Sequence, residues 1–153
     1  MYTREQASKV RQEFWTRFGK YMAPIQSAEG GKPNWVNYKT GIPNLYFRMN
    51  ASKESASVAI EIMHRDPEMA AGIYQQFVAL KPMLEAYTGE QWNWENDALN
   101  EHGQQLSRIF VQLDNVNIFK ETDWPSIISF LKPSIIALDG FWSEYKMVFE
   151  MLK

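Results

Sequence analysis

An α+β domain built on one antiparallel sheet is what this sequence encodes. Long segments near both ends and in the middle carry apolar residues every three or four positions, the spacing of amphipathic helices. Shorter segments between them alternate apolar with polar residues, the spacing of half-buried strands. Gly- and Pro-containing stretches separate the two kinds of segment. The predicted order is α-β-β-β-α-β-β-α, a single domain over residues 1–153 with a sheet of about five strands and three helices packed mainly on one side.

The first helix starts at Thr3, an N-cap followed by Glu5 and Gln6, and carries Ala7, Val10, Phe14, Phe18 and Tyr21 as its stripe. Residues 24–33 form a loop. Its Gly30-Gly31-Lys32 is not a phosphate loop: Gln26 stands where the pattern needs glycine, and Pro33 where it needs Ser or Thr. Trp35 to Lys39 alternates and is a short first strand. Leu45–Asn50 and Ser57–Arg65 flank the turn-forming 51–55 and make a hairpin. Leu45, Phe47 and Met49 share one face of it with Val58, Ile60 and Ile62; Tyr46, Arg48 and Asn50 share the other with Ala59, Glu61 and Met63.

Asp66-Pro67-Glu68 opens the second helix as N-cap, first-turn proline and acid near the positive dipole end. Met69, Ile73, Phe77, Leu80 and Leu84 form its stripe, and Pro82 calls for a break around Ala79 to Lys81. Gln91–Glu95 is a fourth strand with Trp92 and Trp94 on one face. Residues 96–103 are a polar loop. Leu106–Leu113 is the fifth strand, with Arg108, Phe110 and Gln112 opposite Ile109, Val111 and Leu113. The last helix starts around Asp123-Trp124-Pro125; Pro133 should kink it and Gly140 weaken it.

Composition narrows the function classes. Without cysteine there are no disulfides, no cysteine zinc ligands and no cysteine nucleophile. A net charge of −2 argues against a surface that attracts polyanions everywhere. No apolar run approaches the about 20 residues of a membrane span, and the charged start Met1-Tyr2-Thr3-Arg4-Glu5 does not resemble a secretory signal. The expectation is a cytoplasmic protein that does not associate with membranes. Six Trp, seven Tyr and nine Phe are many for 153 residues, enough to fill a broad sheet-on-helix core and leave some rings at the surface.

Several segments carry a resemblance. They are Phe14-Trp15-Thr16-Arg17-Phe18, Asn34 to Gly41, the central Ala59-Ile60-Glu61-Ile62, and the tail from Asp123-Trp124-Pro125 through Lys132-Pro133-Ser134 to Phe141-Trp142. Together they resemble the bacterial domain of unknown function family DUF4268 over essentially the whole chain. The resemblance implies an α+β domain that occurs alone or attached to endonuclease-like modules. It supplies no catalytic motif.

Four constellations bear on chemistry. The polar sheet face gathers Tyr46, Arg48, Glu61 and Arg108, with Asn93 and Glu95 at its margin. Arg48 and Glu61 on paired strands make a cross-strand ion pair in the plainer reading. In the functional one, the arginines are forks and Tyr46 a platform for an anionic or extended partner. A restriction-type metal site would need a lysine two residues after the strand carboxylate; Met63 follows Glu61 there and Asp97 follows Glu95. His64 and His102 are too few for a three-histidine zinc site and read as strand-end and turn residues. Trp92 and Trp94 either join the recognition surface, stacking bases or a sugar, or close the bottom of the core.

The reading that follows is a non-enzymatic binding or specificity module, linked to DNA restriction or defence by the family context, with no metal or other cofactor. Its partner is a protein or a nucleic acid. The candidate binding residues are Tyr46, Arg48, Glu61, Arg108, Trp92 and Trp94. The alternatives are a divergent metal-dependent nuclease-like enzyme centred on Glu61, and a self-associating structural domain acting as a homodimer.

Overall fold

The structure, a computed structural model, describes residues 2–100 and 102–152. Met1, Lys153 and Glu101 (the last within the loop expected at 96–103) lie outside the described residues. Among the described residues there are four helices: α1 (Arg4–Met22), α2 (Pro67–Ala79), α3 (Lys81–Thr88) and α4 (Trp124–Glu150). Four strands, β1 (Leu45–Ala51), β2 (Ser55–Ile62), β3 (Asn93–Leu99) and β4 (Gln105–Asp114), form one antiparallel sheet in the order β1-β2-β4-β3.

Local chemistry sets the helix boundaries. Thr3 and Gln6 form a reciprocal capping box at the start of α1. Asp66 caps α2 by accepting from the Glu68 amide, with Pro67 in the first turn. The break expected near Pro82 falls at Leu80, so the predicted second helix is two helices. The kink expected at Pro133 does not interrupt α4, which runs through it. Pro133 and Ser129, the residue four positions earlier whose carbonyl the proline leaves unpaired, are both exposed, so water can satisfy that carbonyl. Gly140 has a packing role: a Cβ there would lie 3.2 Å from Cε1 of Tyr87, so its absence lets α3 approach α4. Tyr21, expected in the α1 stripe, is exposed; Met22 takes the buried position beside Phe14 and Phe18.

The sheet has four strands rather than five because Trp35–Lys39 does not pair. Trp35 and Tyr38 both turn inward, three residues apart, which an alternating strand cannot do. The Trp35 indole donates to the Ile25 carbonyl at 3.2 Å and the Tyr38 hydroxyl to Asp139 of α4 at 2.5 Å. Asp139 is buried and also accepts from the Ser27 hydroxyl at 2.9 Å and the Ala28 amide at 2.7 Å. Trp142, one turn on, donates to the Thr40 carbonyl at 2.9 Å. The long connection from 23 to 44 is thus pinned to α4 by polar groups instead of joining the ladder. Beyond Glu95, β3 continues through a bulge at Asn96-Asp97, with Asp97 at φ 59°, so part of the expected loop is strand.

One core lies on one side of the sheet. Leu45, Phe47, Val58, Ile60, Ile62, Ile109 and Val111 face it, and every helix contributes, from Phe14 and Phe18 in α1 to Phe149 in α4. Aromatic rings interlock at its centre: Phe77 lies 4.4 Å from Phe149 and Phe47 lies 5.2 Å from Trp142 between centroids. Among the described residues no helix is long and apolar enough to cross a membrane.

Candidate functional site: the uncovered sheet face

The register fixes what the other side of the sheet presents. Leu45 pairs with Ile62, Phe47 with Ile60 and Met49 with Val58, so the intervening residues point away from the core. Two rows cross this face. Tyr46 pairs with Glu61, Glu61 with Arg108 and Arg108 with Glu95. In the next row Arg48 pairs with Ala59, Ala59 with Phe110 and Phe110 with Asn93. Tyr46, Arg48, Glu61 and Arg108 therefore come together on one side of the sheet, contributed by three strands.

Glu61 sits between the two arginines. Its Oε1 lies 2.8 Å from Nε of Arg48 and its Oε2 lies 3.8 Å from Nε of Arg108. Each guanidinium also covers a ring two residues away on its own strand: Cζ of Arg48 is 4.3 Å from the Tyr46 centroid and Cζ of Arg108 is 4.0 Å from that of Phe110. Nη2 of Arg108 donates to the Ser57 hydroxyl at 3.5 Å.

The environments differ along the row. The Glu61 side chain is 17% exposed and that of Arg108 25%, but that of Arg48 is 52%. The carboxylate is thus held low between two cations, while Arg48 meets solvent. Arg48 makes no hydrogen bond to another described residue through its terminal nitrogens, so their donors are available.

The face is concave. Ala59, Ser57 and Leu106 are buried but lie outside the main core cluster, because they form the floor beneath longer side chains. A groove of about 560 Å³ runs over them from Arg48 and Asn50 of β1 to Asn100 and Gln104 at the β3–β4 turn. Its charged lining is balanced: Arg48 and Arg108 against Glu61 and Glu95. A second hollow of about 850 Å³ adjoins it beside Tyr46, Arg65 and Asp97.

Trp92 and Trp94 are not on this face, and their placement there is corrected. Trp94 pairs with Ile109, whose side chain faces the core, and Trp92 lies two residues earlier. Trp92 is buried and its indole donates to the Thr88 hydroxyl at 2.9 Å. The Trp94 ring packs edge-on against Tyr74 at 6.1 Å, beneath the Lys81 ammonium at 5.8 Å. Alternation alone fixes that the two share a side; it does not say which, and the partner strand decides.

Sequence reasoning missed Ser57 and Leu106 as the floor and the β3–β4 turn as a wall. The signal for Ser57 was available, since it stands two residues before Ala59 and four before Glu61 on β2. His64 accepts the Asp66 amide at Nδ1, 3.0 Å away, and helps shape the α2 start. Among the described residues no three His, Asp or Glu side chains converge as metal ligands do.

Fold and face together define a class: an α+β domain whose helices cover one side of a four-stranded antiparallel sheet and leave the other as a polar groove. The chain matches the family described as "Domain of unknown function (DUF4268)" over residues 10–146, and it belongs to that family. No curated protein and no solved structure matches it.

Proposed function

We propose that this chain is a non-enzymatic binding module and that the uncovered sheet face is its recognition surface. One observation carries the reading: Arg48, backed by Tyr46 and half exposed, presents terminal donors that no other described residue engages, at the mouth of a groove of about 560 Å³. Ligand sites commonly have volumes of about 300–1,000 Å³ with a few polar groups aimed inward. Arg and Tyr are the side chains that concentrate binding energy at interfaces.

The metal-dependent nuclease alternative finds less support in the local chemistry. The nearest charged groups to Glu61 are two guanidinium groups, and these compete with a divalent cation for the carboxylate. A link to restriction or defence rests on the endonuclease-like modules that the family resemblance implies. In that setting the domain would hold a partner in place while another subunit performs the chemistry.

Arg48→Ala with Arg108→Ala tests the reading. Affinity capture with the wild-type chain and the double variant should differ in the partners retained, while the circular dichroism spectra stay alike. Identical sets of partners would refute the assignment of this face.

A further inference from the structure

Away from the uncovered face, the molecule keeps one hollow of a different kind. A cavity of about 180 Å³ lies where the end of the 23–44 connection, the exit of β2, the first turns of α2 and the end of α4 meet. Six of its seven lining side chains are apolar, and the seventh is His64. Ile42, Ile73 and Phe149 are buried members of the core, while Met69 and Leu152 are partly exposed. We infer that this cavity binds a small uncharged molecule: one apolar ring, or a branched chain of similar bulk, carrying a single hydrogen-bond acceptor.

Volume sets the size of the occupant. Apolar cavities of about 150 Å³ stay dry and take up benzene, whereas sites for drug-sized ligands and cofactors run to about 300–1,000 Å³. One ring fits, and a nucleotide does not. The lining sets the polarity. Among the described residues no Asp, Glu, Lys or Arg side chain lines the cavity, so a carboxylate, ammonium or phosphate group would lose its water there without gaining a full counter-charge. His64 sets the acceptor. Its Nδ1 accepts the Asp66 amide at 3.0 Å, which places the proton of the neutral ring on Nε2. No described residue accepts from that nitrogen. Water is a poor occupant, because it needs about two to four polar partners and the lining side chains offer one. A carbonyl oxygen on a hydrocarbon body asks for one donor and leaves the other walls to apolar contact.

Titration of the full chain with cyclohexanone and with benzene, followed by the methyl NMR signals of Ile42 and Ile73, tests the inference. Both probes should shift these signals and saturate. His64→Leu should weaken cyclohexanone about two- to tenfold, the worth of one neutral hydrogen bond, and leave benzene unchanged. Met69→Trp and Leu152→Trp enter the cavity from different helices, and either variant that keeps the wild-type circular dichroism spectrum should abolish binding of both probes. If neither probe gives a saturable shift, or if the shifts survive a folded tryptophan variant, the site is overturned. If cyclohexanone is indifferent to His64→Leu, the acceptor-bearing ligand is overturned and a plain hydrocarbon pocket is left. None of these outcomes bears on the recognition surface, whose test turns on Arg48 and Arg108.

Discussion

Ile60 and Glu61 are neighbours in β2, yet they belong to two different kinds of protein surface. Ile60 is fully buried in a core to which all four helices contribute. One residue on, Glu61 lies in a layer of paired charges whose outermost member, Arg48, is half in water. The first side is held by apolar burial and ring packing, which add up regardless of ionic conditions. The second is held by ion pairs and cation–π contacts, each worth little where water reaches it. Stability therefore resides on the covered side, and the uncovered side is free to vary in chemistry without unfolding the chain.

The largest expected effect is on the covered side. Phe77 is fully buried and meets Phe141, Trp142 and Phe149. Phe77→Ala should cost about 3–5 kcal/mol, read as a lower urea midpoint. A loss below about 1 kcal/mol would mean that the helices do not cover the sheet as described.

Next comes the polar anchor behind the core. Asp139→Ala leaves the Tyr38 hydroxyl, the Ala28 amide and the Ser27 hydroxyl without their acceptor, and should cost about 3 kcal/mol by the same measurement. Tyr38→Phe removes one of these bonds and should cost about 1.5–3 kcal/mol.

That pair also has a signature in alkali. Burial, then the bond to Asp139, pushes the Tyr38 phenol well above its ordinary value of 10.0. In the unfolded chain it would ionise near 10, so its contribution is complete below that pH and declines as the pH climbs beyond it. Wild type should lose stability above about pH 10 more steeply than Tyr38→Phe, as followed by the thermal midpoint against pH. Equal slopes would remove Tyr38 from the anchor.

The smallest effect should lie on the uncovered side. Arg48→Ala removes a half-exposed ion pair and should change stability by less than about 1 kcal/mol, while altering the partners retained on the affinity column. A loss comparable to that of Phe77→Ala would erase the contrast between the sides.

Much of this division is legible in the chain because alternation is strict in β1 and β2. Leu45, Phe47 and Met49 against Tyr46, Arg48 and Asn50 can be sorted by parity, and the observed pairing keeps that sorting intact. Capping chemistry likewise announces α1 and α2 through Thr3 and Asp66. Failures occur where tertiary partners override a local pattern. Trp35 to Lys39 alternates like a strand, but the polar ends of Trp35 and Tyr38 find partners in a loop carbonyl and on α4. The tryptophans Trp92 and Trp94 could be grouped but not oriented, because orientation comes from Ile109 across the ladder. Asp139 carries a readable trace: an acid one residue after Leu138 and three before Trp142, on the apolar stripe of a helix, calls for a buried partner.

That acid has a consequence for the order in which the molecule assembles. Its donors lie 112, 111 and 101 residues earlier in the chain, and Trp142 reaches back 102 residues to Thr40. As synthesis proceeds from the N-terminus, the stretch from 23 to 44 can contact β1, through the Tyr38 ring on Phe47 and the Thr40 hydroxyl on the Leu45 carbonyl, before α4 supplies the buried carboxylate. Contacts that distant carry a large loop-closure cost and should form late. Until that closure the Tyr38 hydroxyl and the Ala28 amide lack their native acceptor; afterwards, the connection from 23 to 44 and α4 are held together.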